Sequence, residues 1–196
     1  MTVADWTKEW DEVVAMVGQE IQGGPFGRKV VAIEDVERAS IRRFCEPMEM
    51  DCPLYYDDDV ARAHGYRGII APVSSITQTF VDPGQWKPGD PSIFTSAEPH
   101  AQPVRPGSGE NPFSSMPGPP ASAGFATDIE IEYFADVYVG DRLRMEGNKL
   151  LSCLPKETSV GRGAFMVFES RCYNQNDELV AVMRRGLYVY NPHKKA

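Results

Sequence analysis

The chain has 196 residues, an ordinary apolar share of 42% and a formal net charge of −8. That length favours one domain with a sizeable core, and the acidic balance argues against a nucleic-acid surface and makes any phosphate-bearing ligand depend on a local basic patch. No apolar run approaches a membrane span, the four cysteines lie scattered without a CxxC, and the three histidines (His64, His100, His193) show no metal-ligand spacing. The N-terminal MTVADWTKEWDEVV lacks a signal-peptide pattern, so a cytoplasmic location is expected.

Ala4 to Val17 reads as an amphipathic helix, with Trp6, Trp10, Val13, Val14 and Val17 at helical spacing. That stripe either packs on the domain or faces a partner. Gly23-Gly24-Pro25 and Gly27 mark Gly18–Gly27 as a loop, and no GK[ST] follows to make it a phosphate loop. Residues 1–27 thus form an N-terminal helix and loop. Arg28 to Ile33 is a first strand, rich in β-branched residues. Glu34 to Arg43 follows as a helix, with Val36, Ile41 and Phe44 as apolar contacts.

Cys45 to Asp82 is the most informative stretch. Met50-Asp51-Cys52-Pro53-Leu54-Tyr55-Tyr56 is turn-prone and ends in an aromatic pair. Asp57 to Ala63 reads as a short helix, its Asp57-Asp58-Asp59 run suited to capping the first N–H groups. His64-Gly65-Tyr66-Arg67-Gly68 makes a tight connection. Ile69 to Val81 then reads as a helix of about three turns, with Pro72 harmless in its first turn and Asp82-Pro83-Gly84 stopping it.

The stretch 82–124 breaks the pattern, holding ten of the sixteen prolines. It reads as an insertion in one domain, either a lid over a substrate or partner or a loop lying on the fold. From Thr127 the signal is β. Asp128–Phe134 alternates polar and apolar, as a strand with one wet face does. Asp141–Ser152 and Gly163–Asn174 are further strands. Asn174-Gln175-Asn176-Asp177 is a hairpin turn, and Glu178–Tyr190 closes the sheet. Arg184-Arg185 places one arginine on each face. Residues 193–196 form a basic tail.

PLYYD followed by HGYRGIIAP, together with Tyr138-Val139-Gly140-Asp141 and Leu143, resembles the MaoC-like hydratase/dehydratase family, in particular its N-terminal dehydratase-type half. The resemblance covers 28–192 and implies an α+β hotdog fold: a central helix, here Ile69–Val81, wrapped by an antiparallel sheet, with the Pro-rich insertion 82–124. It also implies reversible addition of water to an enoyl thioester on coenzyme A or acyl carrier protein, without a cofactor. Active members carry a Gly-Asp-x-Asn-Pro-h-His motif, h being apolar, whose Asp and His hold and activate water.

Aligned on Pro53, Glu49 falls on the motif's Gly, Met50 on its Asp, Cys52 on its Asn and Tyr55 on its His. Methionine cannot ionise and tyrosine titrates near pH 10, so neither does that work near neutrality. A one-residue slip would bring Asp51 or Glu49 into play. The resemblance makes Cys52, Tyr55, Tyr56, Tyr66, Gly68, Ile69, Ala71 and Ser74 candidates to line an acyl pocket. Arg162, Arg184 and Arg185 are candidates for a coenzyme A phosphate. Three functions follow: a subunit of a heteromeric hydratase or dehydratase, paired with a hotdog that supplies Asp and His; a self-sufficient enzyme using Asp51, His64 or His100; or a hotdog that binds an acyl thioester or a partner without catalysis.

Overall fold

The structure, a computed structural model, describes residues 5–21, 29–77, 79–81, 88–94, 96–98, 100–101 and 118–193. Of the sequence features above, Gly23–Gly27, Asp82-Pro83-Gly84, much of the 82–124 insertion and residues 194–196 lie outside the described residues.

Five antiparallel strands form one sheet: β1 (Val30–Val31), β2 (Ala123–Tyr133), β3 (Arg144–Thr158), β4 (Gly161–Tyr173) and β5 (Leu179–Pro192). Their spatial order is β1-β3-β4-β5-β2, so β4 is central and β2 is an edge. The β4–β5 hairpin turns where the sequence places it. Asn174 Oδ1 accepts from the Asn176 and Glu178 N–H groups, and Asp177 takes a left-handed φ of 63°. The first strand is shorter than its β-branched residues suggest: Val30 and Val31 alone pair with β3.

Among the described residues the α-helices are short: α1 (Asp11–Ala15), α2 (Arg38–Cys45) and α3 (Asp58–Ala63). α3 is capped as its sequence requires, with Asp57 accepting from the Asp59 and Val60 N–H groups. The N-terminal stripe is a 3-10 turn, Trp6–Trp10, running into α1. Trp10 and Val13 are buried, whereas Val14 and Val17 are exposed, so the packed face is narrower than the stripe.

The expected helix over Ile69–Val81 does not form among the described residues. A 3-10 turn, Val73–Ser75, takes its place, followed by one turn closed by Thr79 N–H to Ser75 O. The composition explains it. Val73, Ile76, Thr77 and Thr79 are β-branched, and the Ser75 hydroxyl donates back to Pro72 O, which competes with a helical ladder.

The inner face of the sheet is therefore covered by two pieces of chain. Ile69, Ala71, Ile76, Phe80 and Val81 pack with α2 and the ends of β4 and β5 in a near cluster. At the other end, Trp10, Val13 and Ile21 pack on Leu150, Ala164, Met166, Phe168 and Val189 in a far cluster. The N-terminal segment is thus part of the core. Trp10→Ala is expected to cost about 3–5 kcal/mol in urea unfolding. A cost below about 1 kcal/mol would show the segment to be an appendage.

Candidate functional site

The site is assembled around the turn from Glu46 to Tyr56. A 3-10 turn, Glu46–Met48, ends at Glu49, which takes a left-handed φ of 51°. Glycine is the default residue for such a backbone, and Glu49 is the position that aligns with the motif's Gly. That agreement supports the register set by Pro53 over a one-residue slip.

Met50 and Tyr55 are half-buried and pack against the near cluster. Burial pushes the Tyr55 phenol above its ordinary range, further from any acid/base role near neutrality. The Tyr56 hydroxyl donates to Met50 O at 2.8 Å and closes the turn on itself. Cys52, also half-buried, accepts from the Tyr55 N–H through its carbonyl.

The connection His64–Gly68 is fixed by two carboxylates. Asp58 accepts from the Ile69 N–H at 3.0 Å and pairs with Arg38. A Cβ on Gly68 would meet Asp58 Oδ1 at 3.0 Å, so that close approach suits glycine. Asp141, 2% exposed, accepts from Arg67 at 2.5 Å, from Gln175 Nε2 at 3.0 Å and from the Tyr138 N–H at 2.8 Å. The Arg67 guanidinium also lies over the Tyr138 ring, 4.0 Å from its centre. Ala71 N–H then donates to Val137 O at 2.7 Å, hanging the covering segment on the sheet.

The structure brings Met50, Tyr55, Tyr56, Ile69 and Ala71 together in or against one cluster. Tyr66 and Gly68 are half-buried nearby in the chain, whereas Ser74 is exposed and Ser75 buried. The substitute acid/base candidates do not converge. Asp51 and His100 are exposed, and the His64 ring meets Val60 O of its own helix at 2.8 Å, the contact of a helix-end residue. Among the described residues no hydrogen bond or ion pair joins the three. A groove of about 240 Å³ between Ala32–Glu37 and Thr79–Phe80 carries Glu34, Asp35 and Glu37, the wrong sign for phosphates.

The arginine candidates separate. Arg162 pairs with Glu157 at 3.1 Å. Arg184 is held by Glu130, Glu132 and Glu169 on the outer face, so a phosphate there would displace carboxylates. Arg185 lies on the opposite face, with Nη2 3.5 Å from Ser170 Oγ. The sequence reading did not single out Asp58 or Arg67 as anchors of the site. Long-range ion pairs leave no periodic signal.

The FAS1-like dehydratase domain region matches residues 21–89. The chain is 26% identical over 154 residues to a probable enoyl-CoA hydratase alpha subunit of Thermomonospora curvata, covering 79% of this chain and 44% of that protein. It therefore spans less than half the length of that curated relative. Among solved structures, the ChsH1–ChsH2 complex from Mycobacterium tuberculosis matches at 22% identity and a TM-score of 0.61, over 98% of this chain and 100% of that one. A MaoC-like dehydratase from Rhodospirillum rubrum matches at 19% identity and a TM-score of 0.51, over 85% and 93%. These similarities carry the hotdog fold.

Two outcomes test this geometry. Asp141→Ala removes three hydrogen bonds to a buried carboxylate and is expected to cost about 3 kcal/mol, against about 1 kcal/mol for Arg67→Ala, whose side chain is more than half exposed. Equal costs would mean that Arg67 alone carries the anchor. Asp58 has its pKa lowered, first by the Ile69 N–H and then by Arg38. Its contribution is present above the unfolded carboxyl value of 3.8 and lost as the pH falls through the lower folded value. Acid titration of stability should therefore flatten below about pH 4 in Asp58→Asn relative to the parent.

Proposed function

We propose that the chain, which is similar to MaoC-like hydratases and dehydratases of the hotdog fold, is the non-catalytic half of a two-subunit enoyl-thioester hydratase or 3-hydroxyacyl dehydratase. It contributes the acyl pocket. A second hotdog contributes the Asp and His that activate water. The observation that carries this reading is Met50 and Tyr55 at the acid/base positions, half-buried against the near cluster.

Water addition to an enoyl thioester needs a base within reach of the water and a donor for the enolate-like oxygen. This chain offers no ionisable side chain at the first position. Asp51, His64 and His100 do not meet, which weighs against a self-sufficient enzyme. The relative's naming as an alpha subunit and the two-protein complex of the structural neighbour support pairing. So does edge strand β2, which carries Phe125 and Ile129 about half exposed and offers a place for a second sheet to continue this one. A short turn at Val73–Ser75, in place of a three-turn helix, would suit a bulky acyl group.

The reading is tested by following loss of enoyl-thioester absorbance with crotonyl-CoA and with a bulkier trans-2-enoyl-CoA. The chain alone is expected to give no turnover above buffer. Mixing it with a co-purifying hotdog subunit that carries an intact Asp…His motif is expected to give turnover, with the bulkier substrate preferred. Turnover by the chain alone would sink the idea.

A further inference from the structure

The inner face of the sheet is apolar at both ends and polar in between. Along β4 the inward positions read Ala164, Met166, Phe168, Ser170 and Cys172. The first three belong to the far cluster and Cys172 to the near one, but Ser170 belongs to neither. Beside it on β3 is Asn148. The ladder pairs Glu146 with Arg171 and Lys149 with Glu169, so Gly147 and Asn148 together face Ser170. This is a β-bulge, with Gly147 at a φ of 77°. The extra residue turns Asn148 to the same face as Leu150, and it is 1% exposed. On β5, Met183 pairs with Ser170, and Arg185 sits on the diagonal within reach of the Ser170 hydroxyl.

Asn148 is the member that calls for a ligand. Both its side-chain atoms, Oδ1 and Nδ2, are buried and have no hydrogen-bond partner. An amide left open at both ends is destabilising, and in a packed interior such a group needs an account. Leucine would fill the position without that cost.

We infer that Asn148, Ser170 and Arg185 recognise an oxygen substituent, a hydroxyl or keto oxygen, on the part of the acyl group remote from the thioester. The site rests on the acyl-thioester reading above and deepens it. The Asn148 amide N–H and the Ser170 hydroxyl donate to the two lone pairs of the substituent oxygen, Arg185 donates to Ser170 Oγ and orients it, and Asn148 Oδ1 accepts from the O–H of a hydroxyl substituent. The row lies just beyond the near cluster, which Tyr55, Ile69 and Ala71 join. An acyl chain entering past those residues meets it before the far cluster.

The test is calorimetric binding of saturated acyl-CoA thioesters to the full chain, alone and with its co-purified hotdog subunit. A medium- to long-chain series is compared in ω-hydroxylated and unsubstituted pairs. At the fitting length the hydroxylated member is expected to bind about tenfold tighter. Asn148→Leu should abolish that preference, leave affinity for the unsubstituted member within about twofold and raise the melting temperature. Ser170→Ala, a smaller change, should weaken the preference. Equal binding of each pair at every length would overturn the site, and a raised melting temperature in Asn148→Leu would then mark the row as water-filled only. Preference kept in both variants would also overturn it. Binding of neither series, with or without the partner, would overturn the acyl-thioester reading itself.

Discussion

The fold turns on a buried carboxylate. Asp141 sits where β3 is about to begin, and its two oxygens gather the Tyr138 N–H, the Gln175 amide and the Arg67 guanidinium. Each partner comes from a different part of the chain. Tyr138 belongs to the turn that ends the edge strand, Gln175 to the β4–β5 hairpin, and Arg67 to the connection before the covering segment. A carboxylate taken out of water must be answered by donors, and here the answer sets the geometry. Gly140 takes a φ of 91°, which lets its N–H reach Val36 O while Asp141 O accepts from the Val36 N–H. The approach to α2 is thereby tied to the same turn. With the turn fixed, Ile70 bridges to Tyr138 and Ala71 to Val137, and the near cluster closes beneath them.

The covering of the inner face follows from that anchor. A long helix could cover the whole face with one continuous stripe. A segment that ends in one 3-10 turn reaches only the near half, so the far half needs another cover. The Trp6–Ile21 segment supplies it with two ring-sized side chains and Val13. A Cβ on Gly118 would approach the Trp10 ring to 2.7 Å, so the last part of the insertion also closes on this cover. The far cluster lies more than a hundred residues away in sequence from the tryptophans that complete it. Two clusters with a polar row between them bury less continuous apolar surface than one, which is a cost in stability that function can explain.

What was legible in the sequence tracks the range of the interaction behind each feature. The β4 and β5 strands, their hairpin and the α3 cap rest on local alternation and on side chains that bond within four residues. They lie where the sequence puts them. The covering segment was misread because the family template called for a helix where β-branched residues and a serine bonding back to Pro72 oppose one. The strand expected to have one wet face is an edge, and Glu130, Ile129 and Phe125 are all exposed on it. Alternation shows which residues share a face but not whether anything covers it. The polar row was illegible for a sharper reason. The bulge at Gly147 shifts β3 by one residue, so counting by twos from Glu146 assigns Asn148 to the wrong face.

The proposed loss of acid and base at the motif would fit this arrangement physically. A carboxylate and an imidazole in a working site must be kept solvated or hydrogen-bonded, and both resist close apolar packing. Here the aligned positions are a thioether and a phenol that pack against the near cluster, and the Tyr56 hydroxyl donates to the Met50 carbonyl. On the proposed reading these side chains make the turn a wall of the acyl pocket. A wall needs no proton transfer. It needs shape, and Glu49, with its left-handed φ of 51°, has the backbone that a glycine at the aligned position would favour. Retained shape without retained chemistry is what a pocket half, set against a partner that brings its own water-activating pair, would require.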